Sequence, residues 1–352
     1  MIPTLQRPTV PAITTPHPET QDPAPSWVRR NRLRLAAAAT VLVLVTVELV
    51  LGWSSLVDAL HHLRRPHLGW LLLAVAAEIV SMHAYARMQR RLLQSAGVHA
   101  PLMDNVRLAY AAHSLNETLP GGPAFSTRLN FQQMRRFGAT PAVASWVIAL
   151  SGILSACALA AITVAGALAA GGNADWRHLT GLLTATILLI AGARRIARRP
   201  DLFHAPLAAV NRLRRRPADH GHDRVQDFLT QLRAARLRPA LGLSAALLAV
   251  LNWLLDATGL WLCFLAIGEP APGVTATLLA FCAAMAAGTV TIVPGGLGII
   301  DSALILGLIT GGVAGPAAVA TVVLYRLISF GFIIGLGWLS WLRLRRRSTT
   351  PA

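Results

Sequence analysis

Pro141–Ala170 reads PAVASWVIALSGILSACALAAITVAGALAA and contains no Asp, Glu, Lys or Arg. About 20 apolar residues in a helix span a hydrocarbon core roughly 30 Å thick, so this run is long enough to cross a bilayer with a tilt. Comparable runs occur at Leu35–Leu51, Leu68–Tyr85, Ala240–Gly268 and Ala317–Leu342. Only 13% of the chain is charged and 54% is hydrophobic, whereas soluble domains carry about 25% charge. These features predict an all-α polytopic membrane bundle. About six spans are expected, near residues 35–52, 68–85, 141–170, 178–193, 240–268 and 317–342. A cleavable leader is not expected, because the first apolar run follows a long polar tail.

Residues 1–34 read as a proline-rich cytoplasmic tail that cannot build a core, and residues 343–352 as a basic cytoplasmic tail. Between them, 35–342 reads as a single transmembrane domain. Its first half is 35–170 and its second half 178–342, with a basic cytoplasmic loop at 194–238.

The net charge is +17 and every basic residue is arginine. The arginines cluster beside the apolar runs, which points to membrane orientation and away from a nucleic-acid partner. With the N-terminus inside, the cytoplasmic segments collect Arg29–Arg34, Arg87–Arg91, Arg135, Arg136, the loop and the tail. Only Arg64, Arg65 and Arg177 fall outside. Both termini are therefore expected in the cytoplasm. In the loop, Phe203, Leu207, Val210 and Leu213 share one helical face, and Val225, Phe228, Leu229 and Leu232 another, as in helices lying on an anionic leaflet. His220 and His222 read as solvated. Cys157, Cys263 and Cys282 read as packing residues inside apolar runs. No cofactor or metal is expected.

Two segments break the pattern. Met103–Phe137 is too polar for lipid and too apolar for a free loop, with Pro120, Gly121 and Gly122 at its middle. The second runs from Val274 through Pro294, Gly295 and Gly296 to Val313. Each reads as a re-entrant hairpin or as two thin spans. The two resemble each other: Leu119–Gly122 matches Val293–Gly296, and downstream Ala142–Ser145 matches Ala318–Thr321. An odd number of spans per half would invert the second half, a recurrent transporter plan.

Proline and glycine free backbone donors and acceptors that must find protein, water or ligand inside a membrane. Both Pro-Gly-Gly turns are thus candidate substrate-binding elements, together with the polar Asn116 and Glu117 before the first. Charges in the apolar regions are Glu48, Glu78, Glu117, Arg128, Asp256, Asp301 and Arg326, and such charges point to function. Asp301 and Arg326 read either as a structural ion pair or, with Arg128, as part of a site for an anionic headgroup, since arginine's fork suits phosphate. Glu48 and Glu78 are placed at the bundle interior or membrane edge, without a proton-coupling role. No nucleophile, metalloprotease or nucleotide-loop motif occurs, so the chain is not expected to be an enzyme.

His113–Gly122 (HSLNETLPGG) with Arg135-Arg136-Phe137-Gly138 resembles the first signature of the lysylphosphatidylglycerol synthase transmembrane-domain family. Pro294–Asp301 (PGGLGIID) with Leu324-Tyr325-Arg326-Leu327-Ile328 resembles the second. Two positions depart from the family's pattern: Pro123–Thr127 separates the first Pro-Gly from Arg128, and Asp301 stands where Glu is frequent. The resemblance, over about residues 35–342, implies a bacterial inner-membrane protein similar to the flippase half of the multiple peptide resistance factor, without the aminoacyltransferase domain. It implies a phospholipid partner, moved between leaflets. The alternative is a scaffold that docks a lipid-modifying or envelope enzyme through the arginine-rich loop.

Overall fold

The computed structural model describes residues 66–171, 237–289 and 294–347, with a few isolated helical residues between them. The proline-rich tail and first span lie outside the described residues. The fourth span and the arginine-rich loop lie almost wholly outside them.

The described elements are all helical. They are α1 (Leu68–Ser95), α2 (Leu102–Thr118), α3 (Gly122–Arg136), α4 (Pro141–Ala169), α5 (Pro239–Ile267), α6 (Val274–Gly288), α7 (Ile299–Thr310), α8 (Gly315–Arg326) and α9 (Ile333–Arg347). A π-helical turn, Leu327–Phe332, joins α8 to α9 into one long helix. Among the described residues, four helices are long and apolar enough to cross a membrane: α1, α4, α5 and the α8–α9 helix. At about 1.5 Å per residue each exceeds the hydrocarbon thickness of roughly 30 Å. α6 and α7 are apolar but have 15 and 12 residues, so they reach about 22 and 18 Å and neither spans alone. The chain is an all-α polytopic membrane bundle, and its described residues contain four clear spans and two shorter apolar helices.

Lipid is the solvent for this bundle. On α5, Leu243, Leu247, Leu251 and Leu254 are exposed at helical spacing, while the small Gly242, Ala245, Ala249 and Ala257 are buried. A leucine stripe of that kind facing water would be an aggregation surface. Facing acyl chains it is neutral, and small residues on the inner face let neighbouring backbones approach.

α1 and α5 run antiparallel along each other. The Arg238 N–H donates to Ser95 Oγ at 2.8 Å at one end, and the His67 N–H donates to Ala266 O at 2.8 Å at the other. α1 continues to Ser95, well past the apolar run that ends near Tyr85. The reason is amphipathicity: Met88, Leu92 and Leu93 are buried in the cluster that also holds Ala100, Met134, Ala139 and Val143, while Arg87 and Arg91 stay exposed. That cluster gathers the end of α1, the end of α3 and the start of α4 at the Ser95 end of the bundle. α2 packs on α9, where Ser114 Oγ donates to Ile334 O at 3.0 Å. α6 packs on α4, with Gly166 against Leu278 and Leu279. α7 folds back antiparallel on α6, Gly307 meeting Ala280 and Gly311 meeting Ala276.

The first break follows from Pro120. A residue before proline is pushed out of the α region, and Leu119 is extended (φ −100°, ψ 139°). Gly121 then takes φ 72°, and the Gly122 N–H donates to Leu119 O at 2.8 Å before α3 begins. Gly122 is required by space, because a Cβ there would overlap Asn116 O. At the second break Pro294–Gly296 form a single 3₁₀ turn. A Cβ on Gly295 would overlap the Phe330 ring and sit 3.3 Å from Glu117 O, so this turn lies against the end of α2.

A Gly122→Ala substitution should therefore destabilise the fold by about 1–3 kcal/mol, the usual range for overpacking. Gly121→Asn, with open space and a residue that tolerates positive φ, should change stability little. Thermal unfolding of both variants in detergent checks this, and equal midpoints would contradict the geometry.

Candidate functional site: a polar cavity between the two breaks

A cavity of about 370 Å³ opens where the two broken segments meet the α1–α5 pair. α1 contributes Glu78 and Ser81, and α5 contributes Asn252 and Asp256. The first broken segment supplies His113, Asn116 and Glu117 from α2, and Ser126 and Asn130 from α3. The long last helix supplies Tyr325, Arg326 and Ser329, and Met285, Ile300 and Phe330 form apolar wall. Such a concentration of polar groups inside a lipid-solvated bundle is costly unless each finds a partner.

Many do. Ser81 Oγ donates to Asn252 O at 3.0 Å and ties α1 to α5. The Tyr325 hydroxyl donates to Asp256 Oδ1 at 2.5 Å and ties α8 to α5. Asn116 Nδ2 donates to Glu117 Oε1 at 2.8 Å, and Asn130 Nδ2 to Ser126 O at 3.1 Å. Arg326 donates through Nε to Asp301 Oδ1. Asp301 Oδ2 in turn accepts the Gly298 N–H at 3.1 Å, capping the first turn of α7. This ion pair is largely shielded, with side-chain exposures of 17% for Arg326 and 21% for Asp301. The structural pairing expected of these two residues is therefore present, and it holds the second break against α8.

Three polar atoms at the cavity lack a partner. Arg326 Nη2, Glu78 Oε1 and Asn130 Oδ1 are buried with no hydrogen bond. Arg326 thus spends one donor on Asp301 and leaves Nη2 without a partner. Glu78 is 5% exposed, and its carboxyl lies against Gly259, where a Cβ would meet Oε1 at 2.8 Å.

The family model of the lysylphosphatidylglycerol synthase TM region matches residues 33–337. The chain belongs to this family. The match takes in both breaks and every residue that lines the cavity. It is a match to the transmembrane region of the lysylphosphatidylglycerol synthases, so it brings no aminoacyl-transfer chemistry with it. No curated protein matches the chain.

Of the residues expected to bind substrate, Asn116, Glu117 and Arg326 line the cavity. Asp301 stands behind Arg326. Gly295 and Gly296 are buried, Gly295 between Phe330 and the end of α2, and Pro294 opens their turn. Pro120 and Gly121 are exposed at the first break, and Gly122 is buried beneath Asn116. Arg128 differs from expectation: it is exposed on α3 and is not among the lining residues. Two turns of helix after Gly121, it points away from the face that carries Ser126 and Asn130. The sequence marked Glu78 and Asp256 only as charges within apolar runs, without placing them at the binding site, and gave Tyr325 no role of its own. Their signal was present, because an acid within an apolar run is rare, but nothing in the linear pattern joined residue 78 to residue 256.

Asp301→Asn should leave Arg326 as an uncompensated, mostly buried charge and destabilise the protein by roughly 3 kcal/mol. Asp301→Asn combined with Arg326→Gln should recover most of that loss. Denaturant titration in micelles of the two variants measures it, and a double variant no more stable than Asp301→Asn would contradict the pairing.

Proposed function

We propose that this protein binds a membrane phospholipid at the cavity and passes its headgroup between leaflets. The observation that carries the reading is Arg326, which lines a polar cavity within a lipid-solvated bundle and whose Nη2 is buried without a partner. A phosphate oxygen is the acceptor that lipid itself offers such a donor, and charge-assisted bonds of this kind are the strong ones. Family membership supports the choice of phospholipid. The phosphate takes Arg326, and the remaining hydroxyl or amino groups of an anionic headgroup face Asn116, Glu117 and Asn130. Acyl chains stay outside against the leucine-covered faces.

An inverted repeat accounts for the architecture. In this reading α1, the α2–α3 segment and α4 correspond to α5, the α6–α7 segment and the α8–α9 helix. Contacts between helices support it, since α1 meets α5, α2 meets α9 and α6 meets α4. The broken segments are re-entrant hairpins that enter from opposite faces. In support, α6 and α7 are each shorter than a bilayer, and α3 ends beside the end of α1. The cytoplasmic face is the one that carries Arg87, Arg91, Arg135, Arg136 and Arg238. The C-terminal end of α9 has an interfacial anchor, with Trp338 and Trp341 at 5.4 Å edge to face and the Arg345 guanidinium 5.3 Å from the Trp341 ring. Such aromatic and basic belts mark membrane surfaces, and here they support a cytoplasmic C-terminus in a bacterial inner membrane.

The test reconstitutes the protein in liposomes and follows a fluorescent phosphatidylglycerol across the bilayer by quenching from outside. Arg326→Gln should slow movement by about 10- to 100-fold, the loss of one charged hydrogen bond. Arg128→Gln should stay near the wild-type rate. Unchanged transport in a folded Arg326→Gln variant would remove the headgroup role.

A further inference from the structure

The site contains a second feature that phosphate binding does not use. Glu78 on α1 and Asp256 on α5 place two carboxyl groups on the wall of one cavity inside the bundle, Glu78 against Gly259, one helical turn from Asp256. Glu78 is 5% exposed and its Oε1 has no hydrogen-bond partner, so an ionised carboxylate there would be costly and a proton relieves it. Two ionised carboxylates on one cavity wall would also repel each other. Tyr325 already donates to Asp256 Oδ1, which leaves Glu78 as the carboxyl without a donor. The pair is thus built for one exchangeable proton. A hard metal ion would need six or so oxygen ligands, more than the pair and Tyr325 supply.

Groups from several elements face the pair. α2 brings Tyr110 and His113, α8 brings Tyr325 and Arg326, and α5 brings Cys263. On α1 itself Tyr85 accepts from Gln89. Glu117 also lines the cavity, where it accepts from Asn116. α4 and the π-helical turn bring Ser155 and Ser329 as their polar groups. Arg326 is the guanidinium on this cavity wall, one residue along α8 from Tyr325.

We propose that Glu78 and Asp256 form a proton-binding site, and that a proton on this pair travels with the lipid. The second half of this statement rests on the lipid reading above; the first does not. Arg326 is the link, because it shares the cavity wall with both carboxyl groups and its Nη2 is without a partner. A phosphate that reaches Arg326 cancels its positive field at the carboxyl pair, so anionic lipid and proton favour each other's binding. By linkage the effect is reciprocal. The proton enters from water on one side with the headgroup and returns to water on the other. Lipid should therefore follow the direction in which protons flow.

Two measurements on the full-length protein decide the matter. In detergent, infrared spectra should show a carboxylic-acid carbonyl band that is lost in both Glu78→Gln and Asp256→Asn, and moved in Tyr325→Phe. A carboxylic-acid region that none of these changes alters overturns the proton site. In phosphatidylcholine liposomes with trace fluorescent phosphatidylglycerol, the membrane potential is clamped at zero and a gradient of one pH unit imposed. The label should collect in the leaflet on the alkaline side, up to about tenfold for one proton per lipid, and reversing the gradient should reverse it. Neither carboxyl variant should respond to the gradient. Should a variant fail to fold, reversal in the wild type still decides the coupling. Label that moves but stays even, collects on the acid side, or follows a sodium gradient instead overturns the coupling. Label that does not move at all refutes the lipid reading and with it the coupling, and the infrared band alone then decides the proton site.

Discussion

A helix interrupted inside a membrane exposes backbone N–H and C=O groups that acyl chains cannot satisfy, each at a cost of several kcal/mol. Everything else in this protein depends on how that constraint is met at its two Pro-Gly-Gly turns. The first turn satisfies itself in part, through Gly122 N–H to Leu119 O, and lies so close to Asn116 that only glycine fits. The second presses Gly295 against Glu117 O and the Phe330 ring. The second break is therefore covered partly by the first half of the chain, at the residue that precedes the first break. That contact brings polar residues beside both breaks to one place, and that place is the cavity.

The same constraint explains the distribution of charge. Asp301 caps the helix that follows the second break and pairs with Arg326 on α8. One carboxylate thereby fixes a helix N-terminus, where its charge is favourable, and positions the guanidinium that lines the cavity. Tyr325, the adjacent residue, reaches across to Asp256 on α5. Adjacent residues in a helix point about 100° apart, so α8 serves the ion pair on one side and the carboxyl pair on the other. The π-helical turn that follows, Leu327–Phe332, places Ser329 and Phe330 at the cavity before α9 resumes. π-helical turns are frequent at functional sites because they re-aim side chains within a helix that is otherwise regular.

Much of this was legible in the sequence, for identifiable reasons. Spans are read from length and apolarity, which are local properties, and α4, α5 and the α8–α9 helix fall within a few residues of their apolar runs. The breaks are legible because Pro-Gly-Gly has few other readings inside an apolar segment. The Asp301–Arg326 pair could be guessed because each is isolated in apolar sequence and needs a partner. Two things were not legible. Helix α1 outlasts its apolar run, since its last turns are amphipathic and buried on one side only, among Met134, Ala139 and Val143. The Glu78–Asp256–Tyr325 cluster depends on the antiparallel register of α1 and α5, which is a tertiary fact. Arg128 is the converse case. Its position after the first break suggested a partner for Arg326, but the phase of α3 turns it outward.

The central claim is that a phospholipid headgroup occupies the cavity between the breaks, held by Arg326. Native mass spectrometry of the protein released from nanodiscs of mixed phospholipids measures this most directly. The expected result is one retained phosphatidylglycerol on the wild type and on Arg128→Gln, and its loss from a folded Arg326→Gln variant. Equal retention by all three proteins, or retention of no phospholipid by the wild type, would contradict it.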